Sequence, residues 1–456
     1  MKLSRRTILQ GAGSLPFALA SLRADALAQT APTAAPGEVP PILFVHGNGD
    51  YDALWMTTLW RMESNGIARD RMAAINFTDP NARSDDKVEQ ANRSSTEDQR
   101  RELAAAIAEL KRRTGAPRVA LVGSSRGGYA IRNVIKNGGV GDVSHAALCG
   151  TPNHGVFATD DTLGSEFNGR GAFLRGLNEG ESEVTPGTAF LTLRSDGMDK
   201  YAQADGRFIG KPGTPTGVTV DGPELKGATN LVLGTLDHRE VAFHPRAFRE
   251  IYKFIAGREP ARIAIVPEQN VRLSGLVTGT PGGVSTNRPV AGATVEIFRV
   301  DPETGERKGG AVHSAKTGAD GRWGPAQVEP SWSLEFVLAS PEAPTTHIYR
   351  SPFPRSSGIV HLRAARPLGP ADKDAGAVVI MSRPRGYFGL PRDVVLFDGR
   401  EPADVKPGVP TDAAATLRLS AAEVGHDVVA QFGEERIVAR AWPASENRIA
   451  IAELTY

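Results

Sequence analysis

Ser125 is the centre of Gly123-Ser124-Ser125-Arg126-Gly127, with the apolar run "RVALVGS" before it and "RGGYAIRNVIKNGG" after it. The first segment reads as a strand and the second as a helix, so the serine falls on the turn between them. A tight strand-turn-helix strains the serine backbone and brings the flanking elements close, and Gly123, Gly127 and Gly128 supply the room. The following helix also aims its first N–H groups at any oxygen bound there. Such a serine is suited to attack a carbonyl carbon. To do so it needs a base, and the base needs an orienter.

The chain has nine histidines. Four of them end or follow apolar runs: His46 in "HGNG", His154 in "TPNHG", His238 in "TLDH" and His244 beside Pro245. Position alone does not separate them. The order of elbow serine, acid, then histidine after the final strand, which is that of α/β-hydrolases, favours His238. The acid belongs at the end of "TAFLTLRS", where Asp196 and Asp199 both qualify; Asp160 and Asp161 on the preceding loop are further alternatives. A tetrahedral intermediate also needs fixed donors for its oxyanion. The backbone N–H of Arg126 supplies one. The N–H of Asn48 is expected to supply the second, because Gly47 and Gly49 let that backbone curl inward. Together these residues predict a serine hydrolase.

The elements that must position them are legible as alternation. Short apolar runs recur at "PILFVHG", "RMAAINF", "RVALVGS", "HAALCGT", "TAFLTLRS" and "TNLVLGT", as in strands buried on both faces. Helical segments lie between some of them. Ser94 and Glu97 have capping-box spacing, and Leu103, Ile107 and Leu110 share one face before Gly115 and Pro117. Pro245 opens a last helix that carries Phe248, Ile251, Tyr252 and Ile255 on one side and ends at Gly257. The predicted fold class is α/β, a doubly wound, mostly parallel sheet whose ligand binds beyond the carboxyl ends of the strands.

From about residue 262 the pattern changes to short alternating strands separated by turns such as "DPETGE", "GADGR" and "FDGRE". That is the signature of an all-β sandwich or barrel region. The expected organisation is a signal peptide at 1–28, a flexible leader at 29–40, a catalytic domain at 41–258, a β-domain at 262–366 and a further β region at 374–456. The β part is expected to present substrate, dock on an aggregate or serve as a stabilising appendage, so that its removal spares small soluble esters. Trp55, Leu59 and Trp60 either line an acyl pocket or pack their helix onto the sheet. The glycine-rich segment 152–187 has the length of a lid.

The stretches "ILFVHGNG", "VALVGSSRGG", "RSDGMDKY" and "LVLGTLDHREVAF" resemble the compact bacterial lipases and esterases of the α/β-hydrolase superfamily, over about Pro41 to Gly257. The resemblance implies a carboxylic ester hydrolase working through an acyl-enzyme. It also implies Asp199 over Asp196 as the acid, because in that family the acid follows a serine, here Ser195, by a few residues. Two elbow positions depart from the family: Ser124 stands where lipases usually carry His, and Arg126 where Met, Gln or Leu is usual. A cation there would favour an acidic substrate group or pair with a nearby aspartate. "NRPVAGATVEIFRV…TGADGRW" resembles the transthyretin-like regulatory domains attached to carboxypeptidases, and the two-part architecture resembles that of an archaeal lipase with a C-terminal β-domain.

With 456 residues and a net charge of +1, the chain has room for two or three domains and no charge bias toward nucleic acid. Arg5-Arg6, an apolar segment to about Leu22 and Ala26-Leu27-Ala28 predict a twin-arginine signal and a periplasmic or secreted protein without a stable membrane anchor. Cys149 is the single cysteine, so no internal disulfide forms, and it reads as a small buried strand residue. No cofactor and no metal is expected, since the histidines lack ligand spacing; aspartates alone leave a structural calcium open. The expected partner is a small-molecule or aggregated ester, and the oligomeric state is open. Competing readings are a polyester depolymerase, a peptidase or amidase, and a non-catalytic binding protein on the same scaffold.

Overall fold

The structure, a computed structural model, describes residues 38–341, 343–372 and 374–456, so the expected signal peptide and most of the leader lie outside the described residues. Six strands form the first sheet: β1 (Ile42–Val45), β2 (Met72–Ile75), β3 (Val119–Ser124), β4 (Val143–Cys149), β5 (Ala189–Arg194) and β6 (Thr229–Val232). All neighbours run parallel, in the order β2-β1-β3-β4-β5-β6. These are the six apolar runs of the sequence.

Both faces are covered over β1 and β3, which is why their runs do not alternate; the edge strand β6 departs from the expected burial, with Thr229 and Val232 exposed. On one face Phe44, Ala120 and Val122 pack beneath α1 (Met56–Ser64) and α6 (Pro245–Ala256), with Trp55, Met62, Phe248 and Ile251 between. On the other, Leu43, Val45 and Leu121 meet α2 (Thr96–Thr114) and α3 (Arg126–Lys136) through Leu103, Ile107, Leu110 and Ile131, and two short helices, α4 (Ala172–Leu177) and α5 (Glu240–Phe243), follow β4 and β6. The sheet is therefore doubly wound, as an α/β-hydrolase requires.

The helix ends obey local chemistry, with one correction. The capping box of α2 is Ser95 with Asp98, one residue later than Ser94 with Glu97. The Ser94 hydroxyl is instead committed to the carbonyl of Asp79, and Glu97 pairs with Arg100 on the surface. In α6, Pro245 occupies the first turn, His244 caps it through Arg246 N and Gly257 closes it.

Beyond residue 262 the described residues contain strands and only short 3-10 turns. A seven-stranded sheet runs β16 (Ala414–Leu419), β14 (Ala377–Ser382), β19 (Arg448–Glu453), β12 (Thr345–Arg350), β11 (Ser333–Ala339), β8 (Thr294–Val300) and β9 (His313–Lys316). It draws on both 262–366 and 374–456, because β19 lies parallel between β12 and β14. Two three-stranded sheets complete the region: β10 (Arg322–Val328), β7 (Val271–Thr278) and β13 (Leu362–Arg363), then β15 (Val395–Phe397), β17 (Asp427–Phe432) and β18 (Glu435–Arg440). Trp323, Phe336, Leu273 and Val360 form one of its cores. Ala53, Met56 and Trp60 of the first domain are buried in that same core.

Candidate active site

Ser125 sits between β3 and α3 at φ 51°, ψ −120°, a left-handed conformation that a serine adopts at a cost. Close packing around it leaves no room for side chains. A Cβ on Gly127 would lie 2.6 Å from the carbonyl oxygens of Val45 and His46, and one on Gly128 would strike Thr151. The backbone is held from three sides: Ser125 N donates to Cys149 O at 2.8 Å, and Ser125 O accepts from Gly128 N at 2.9 Å and from Thr151 Oγ1 at 3.0 Å.

The structure brings His238 and Asp199 to this serine. Nε2 of His238 lies 3.0 Å from Ser125 Oγ. Its Nδ1 lies 2.9 Å from each carboxylate oxygen of Asp199. The Tyr201 ring meets the imidazole edge to face at 4.6 Å, and Tyr201 N donates to Asp199 Oδ1. His238 is almost wholly buried and Asp199 nearly so.

The other candidates do not reach Ser125. His46 is fully buried, bridging Gly47 O and Phe77 N, and burial lowers its pKa. It fixes the loop. His154 faces Glu183, and His244 caps α6. Asp196 accepts from the amides of Met198 and Thr235, so it staples two loops together. Asp160 and Asp161 form surface pairs with Arg170 and Lys211.

The loop after β1 is held by its own hydrogen bonds. Asn48 Oδ1 accepts from Ala82 N, and Gly49 N donates to Pro80 O. Among the described residues the Asn48 amide has no protein acceptor. The Arg126 amide opens α3, where the first N–H groups of a helix lack an internal partner.

Of the two roles open to the Arg126 side chain, a substrate contact or a carboxylate partner within the protein, the structure shows the second. It is fully buried and pairs with Glu166 through Nε at 2.5 Å and Nη2 at 2.6 Å. Its remaining donors go to Pro80 O, Ser94 Oγ and Ser94 O. The partner is a glutamate rather than an aspartate, and no donor is left for substrate. A cation at this position straps the elbow to the 80–94 loop and to the segment 152–187.

A cavity of about 210 Å³ opens at Ser125. Val156, Phe157, Phe167, Phe208 and Ile209 are its apolar lining, and Asp50, Arg239, Tyr201 and Tyr387 line it as well. Trp55 and Trp60 are not part of it; Trp55 packs on Phe44, and Trp60 on Phe353 of the β region. Tyr387 is the residue that sequence reading missed. It lies in the β region, and nothing local in "RPRGYFG" signals a place beside Ser125. Cys149 is buried under the site, and burial pushes its thiol pKa up. No group of three or more potential metal ligands occurs among the described residues, and none of their helices is long and apolar enough to cross a membrane.

Residues 39–157 match the family model of class 2 lipases, and residues 269–367 that of the lipase C-terminal domain. Among solved structures, the mature form of Bacillus licheniformis lipase BlEst2 is 20% identical, covering 48% of this chain and 94% of that one at a TM-score of 0.34. Aspergillus fumigatus lipase B is 14% identical, covering 50% of this chain and 55% of that one at a TM-score of 0.35. The comparison with curated proteins finds no match. The family matches support a lipolytic hydrolase. The chain therefore has a doubly wound sheet whose first part is similar to class 2 lipases, and a β region part of which is similar to the lipase C-terminal domain.

Proposed function

We propose that the protein hydrolyses carboxylic esters through an acyl-enzyme, with Ser125 as nucleophile, His238 as base and Asp199 as orienter. The observation that carries this reading is the unbroken contact from Asp199 through Nδ1 and Nε2 of His238 to Ser125 Oγ, at 2.9 and 3.0 Å. The Asp199 carboxylate holds the proton on Nδ1, which leaves Nε2 free to accept from the serine. The hydroxyl oxygen attacks the ester carbonyl carbon as its proton passes to Nε2. The amides of Asn48 and Arg126 take the charge that develops on the carbonyl oxygen. The imidazolium then protonates the leaving alkoxide, and water repeats the sequence on the acyl-serine.

The cavity supports a short acyl chain. Its volume, about 210 Å³, lies below the roughly 300–1,000 Å³ of sites for drug-sized ligands. The phenylalanines in the lining suit the acyl methylenes, and the segment 152–187, which supplies Val156, Phe157 and Phe167, would act as a lid. The arginine pair at Arg5-Arg6 supports export by the twin-arginine route to the periplasm or medium, which fractionation of expressing cells would test.

The deciding experiment is turnover of p-nitrophenyl esters of increasing chain length, with anilide and polyester arms, together with fluorophosphonate labelling. Short esters are expected to be cleaved fastest and Ser125 to carry the label. Ser125→Ala is expected to lose both. Faster anilide than ester turnover would make it an amidase. An unlabelled, inactive wild type would make it a binding protein.

A further inference from the structure

His238 lies inside a four-residue box. Asp237 Oδ1 accepts from the amides of Arg239 and Glu240 at 2.8 and 2.9 Å, and Glu240 Oε2 accepts from the amide of Asp237 at 2.7 Å. This reciprocal pair has the chemistry of a capping box, here on the turn that leads into the short helix Glu240–Phe243. It fixes the backbone on both sides of His238. Both carboxylates are buried, Asp237 completely. Two neighbouring buried anions repel each other and have lost their water, so the box needs a cation.

That cation comes from the β region. Arg383, at the end of β14, reaches Asp237 Oδ2 with Nη1 at 3.1 Å and Glu240 Oε1 with Nη2 at 2.6 Å. It is itself 3% exposed and anchored in the β region through Tyr456 O at 2.9 Å, Tyr387 O and the face of Phe432 at 4.0 Å. Tyr387 N adds a second bond to Asp237 Oδ2 at 2.8 Å, and Arg392 Nη1 reaches Glu240 Oε2 at 2.7 Å. The guanidinium therefore holds one oxygen of each carboxylate, while the other oxygen of each closes the box. A planar fork is suited to bridging two carboxylates in this way; a lysine is a point charge.

We propose that Arg383 is a positioning residue for the reaction, fixing His238 in its contact with Ser125 by bridging Asp237 and Glu240 from the β region. The inference rests on the proposed roles of Ser125 and His238. It adds that the base is set by a part of the chain outside the catalytic sheet. Displacement of a catalytic group by about 1 Å costs on the order of 100-fold in rate, so a loosened box is expected to be read in kcat.

The test uses the full chain with Arg383→Gln, Arg383→Lys and, as a control in the same region, Arg436→Gln, whose one ion pair among the described residues is an exposed one with Glu303. Arg383→Gln is expected to lower kcat roughly 10- to 100-fold with KM within about twofold, and Arg383→Lys to fall between it and wild type. The far-downfield proton resonance of His238 Nδ1–H is expected to shift or broaden in both, and not in Arg436→Gln. The lysine keeps the charge, so it decides the matter if the glutamine variant does not fold. Wild-type kcat and an unmoved resonance in folded Arg383→Lys, or in folded Arg383→Gln, would overturn the proposal. A wild type that neither cleaves esters nor takes the fluorophosphonate would refute the catalytic reading instead. The resonance would still report whether Arg383 holds His238.

Discussion

Both carboxylate oxygens of Asp199 lie 2.9 Å from Nδ1 of His238, while Asp196, in the same loop, gives its oxygens to the amides of Met198 and Thr235. The two aspartates have divided the work. One carboxylate faces the imidazole and the other holds the loop that presents it.

Asp199→Asn is accordingly expected to lower kcat by roughly 10⁴-fold, because the amide keeps the shape but loses the charge and can donate to Nδ1, which leaves the ring proton on Nε2 facing Ser125. Asp196→Asn keeps one acceptor for the two amides and is expected to cost less than about tenfold, mostly through loop order. Circular dichroism of both variants should match wild type. A larger loss from Asp196→Asn would move the acid to that position.

The elbow arginine gives a prediction about stability. Glu166 is buried, and burial pushes its carboxyl pKa upward even with Arg126 beside it. Arg126→Met leaves that carboxylate without its cation and should destabilise the protein by about 3–5 kcal/mol. Arg126→Met with Glu166→Leu removes both charges and should recover part of this, but not the bonds to Pro80 O and Ser94 O. Urea unfolding measures both. A change below about 1 kcal/mol in the single variant would place it among ordinary surface substitutions and mean that the pair contributes little.

What was legible in the sequence followed short-range rules. The six strands appear as apolar runs, and the central ones, β1 and β3, do so because both of their faces are covered, whereas β6 at the edge is not buried. The elbow is legible because close packing at Gly127 and Gly128 excludes other side chains. Asp196 and Asp199 were not separable by position, since both lie on the same strand-end loop; the preference for Asp199 came from the family resemblance, and which carboxylate faces His238 is a matter of the third dimension. The capping box slipped by one residue because Ser94 and Ser95 are equivalent as local signals; the Asp79 and Arg126 contacts of Ser94 are long-range. Trp60, Tyr387 and Arg383 were unreadable for the same reason. Their partners are far away in the chain, and a burial pattern says that a residue is covered but not by what.

Lys200 supplies a test by pH. Its ammonium stands 3.8 Å over the Tyr387 ring and donates to Thr411 O, and burial lowers its pKa to about 8. The unfolded chain keeps that proton to about pH 10.4, so between these values the unfolded state binds more protons than the folded one. Stability attributable to this group therefore rises with pH across that window and is flat below it. Tyr201 and Tyr387, whose phenols burial pushes upward, act in the opposite sense above about pH 10. The difference between wild type and Lys200→Met isolates the amine. Wild type should gain in melting temperature relative to the variant from pH 7.5 to about 9.5. A constant or shrinking difference would show that the ammonium is not desolvated there.

Removing the β region tests whether it is an appendage. The sequence suggested that a catalytic fragment would keep its action on small soluble esters. The structure argues otherwise on three counts. Trp60 and Met56 are buried in a core shared with Leu273, Phe336 and Val360, and exposing such side chains costs about 1.5–3 kcal/mol each. Asp52, nearly buried, loses the 2.6 Å contact with His361. The cavity loses Tyr387, and Asp237 and Glu240 lose Arg383. A chain ending at residue 261 is therefore expected to unfold at markedly lower denaturant. Where it does stay folded, it should lose turnover on soluble p-nitrophenyl esters and on emulsified triglyceride alike. Soluble-ester turnover within about twofold of wild type, well under the roughly tenfold that 1.4 kcal/mol of barrier represents, with loss confined to the emulsion, would return the β region to the role of a docking module.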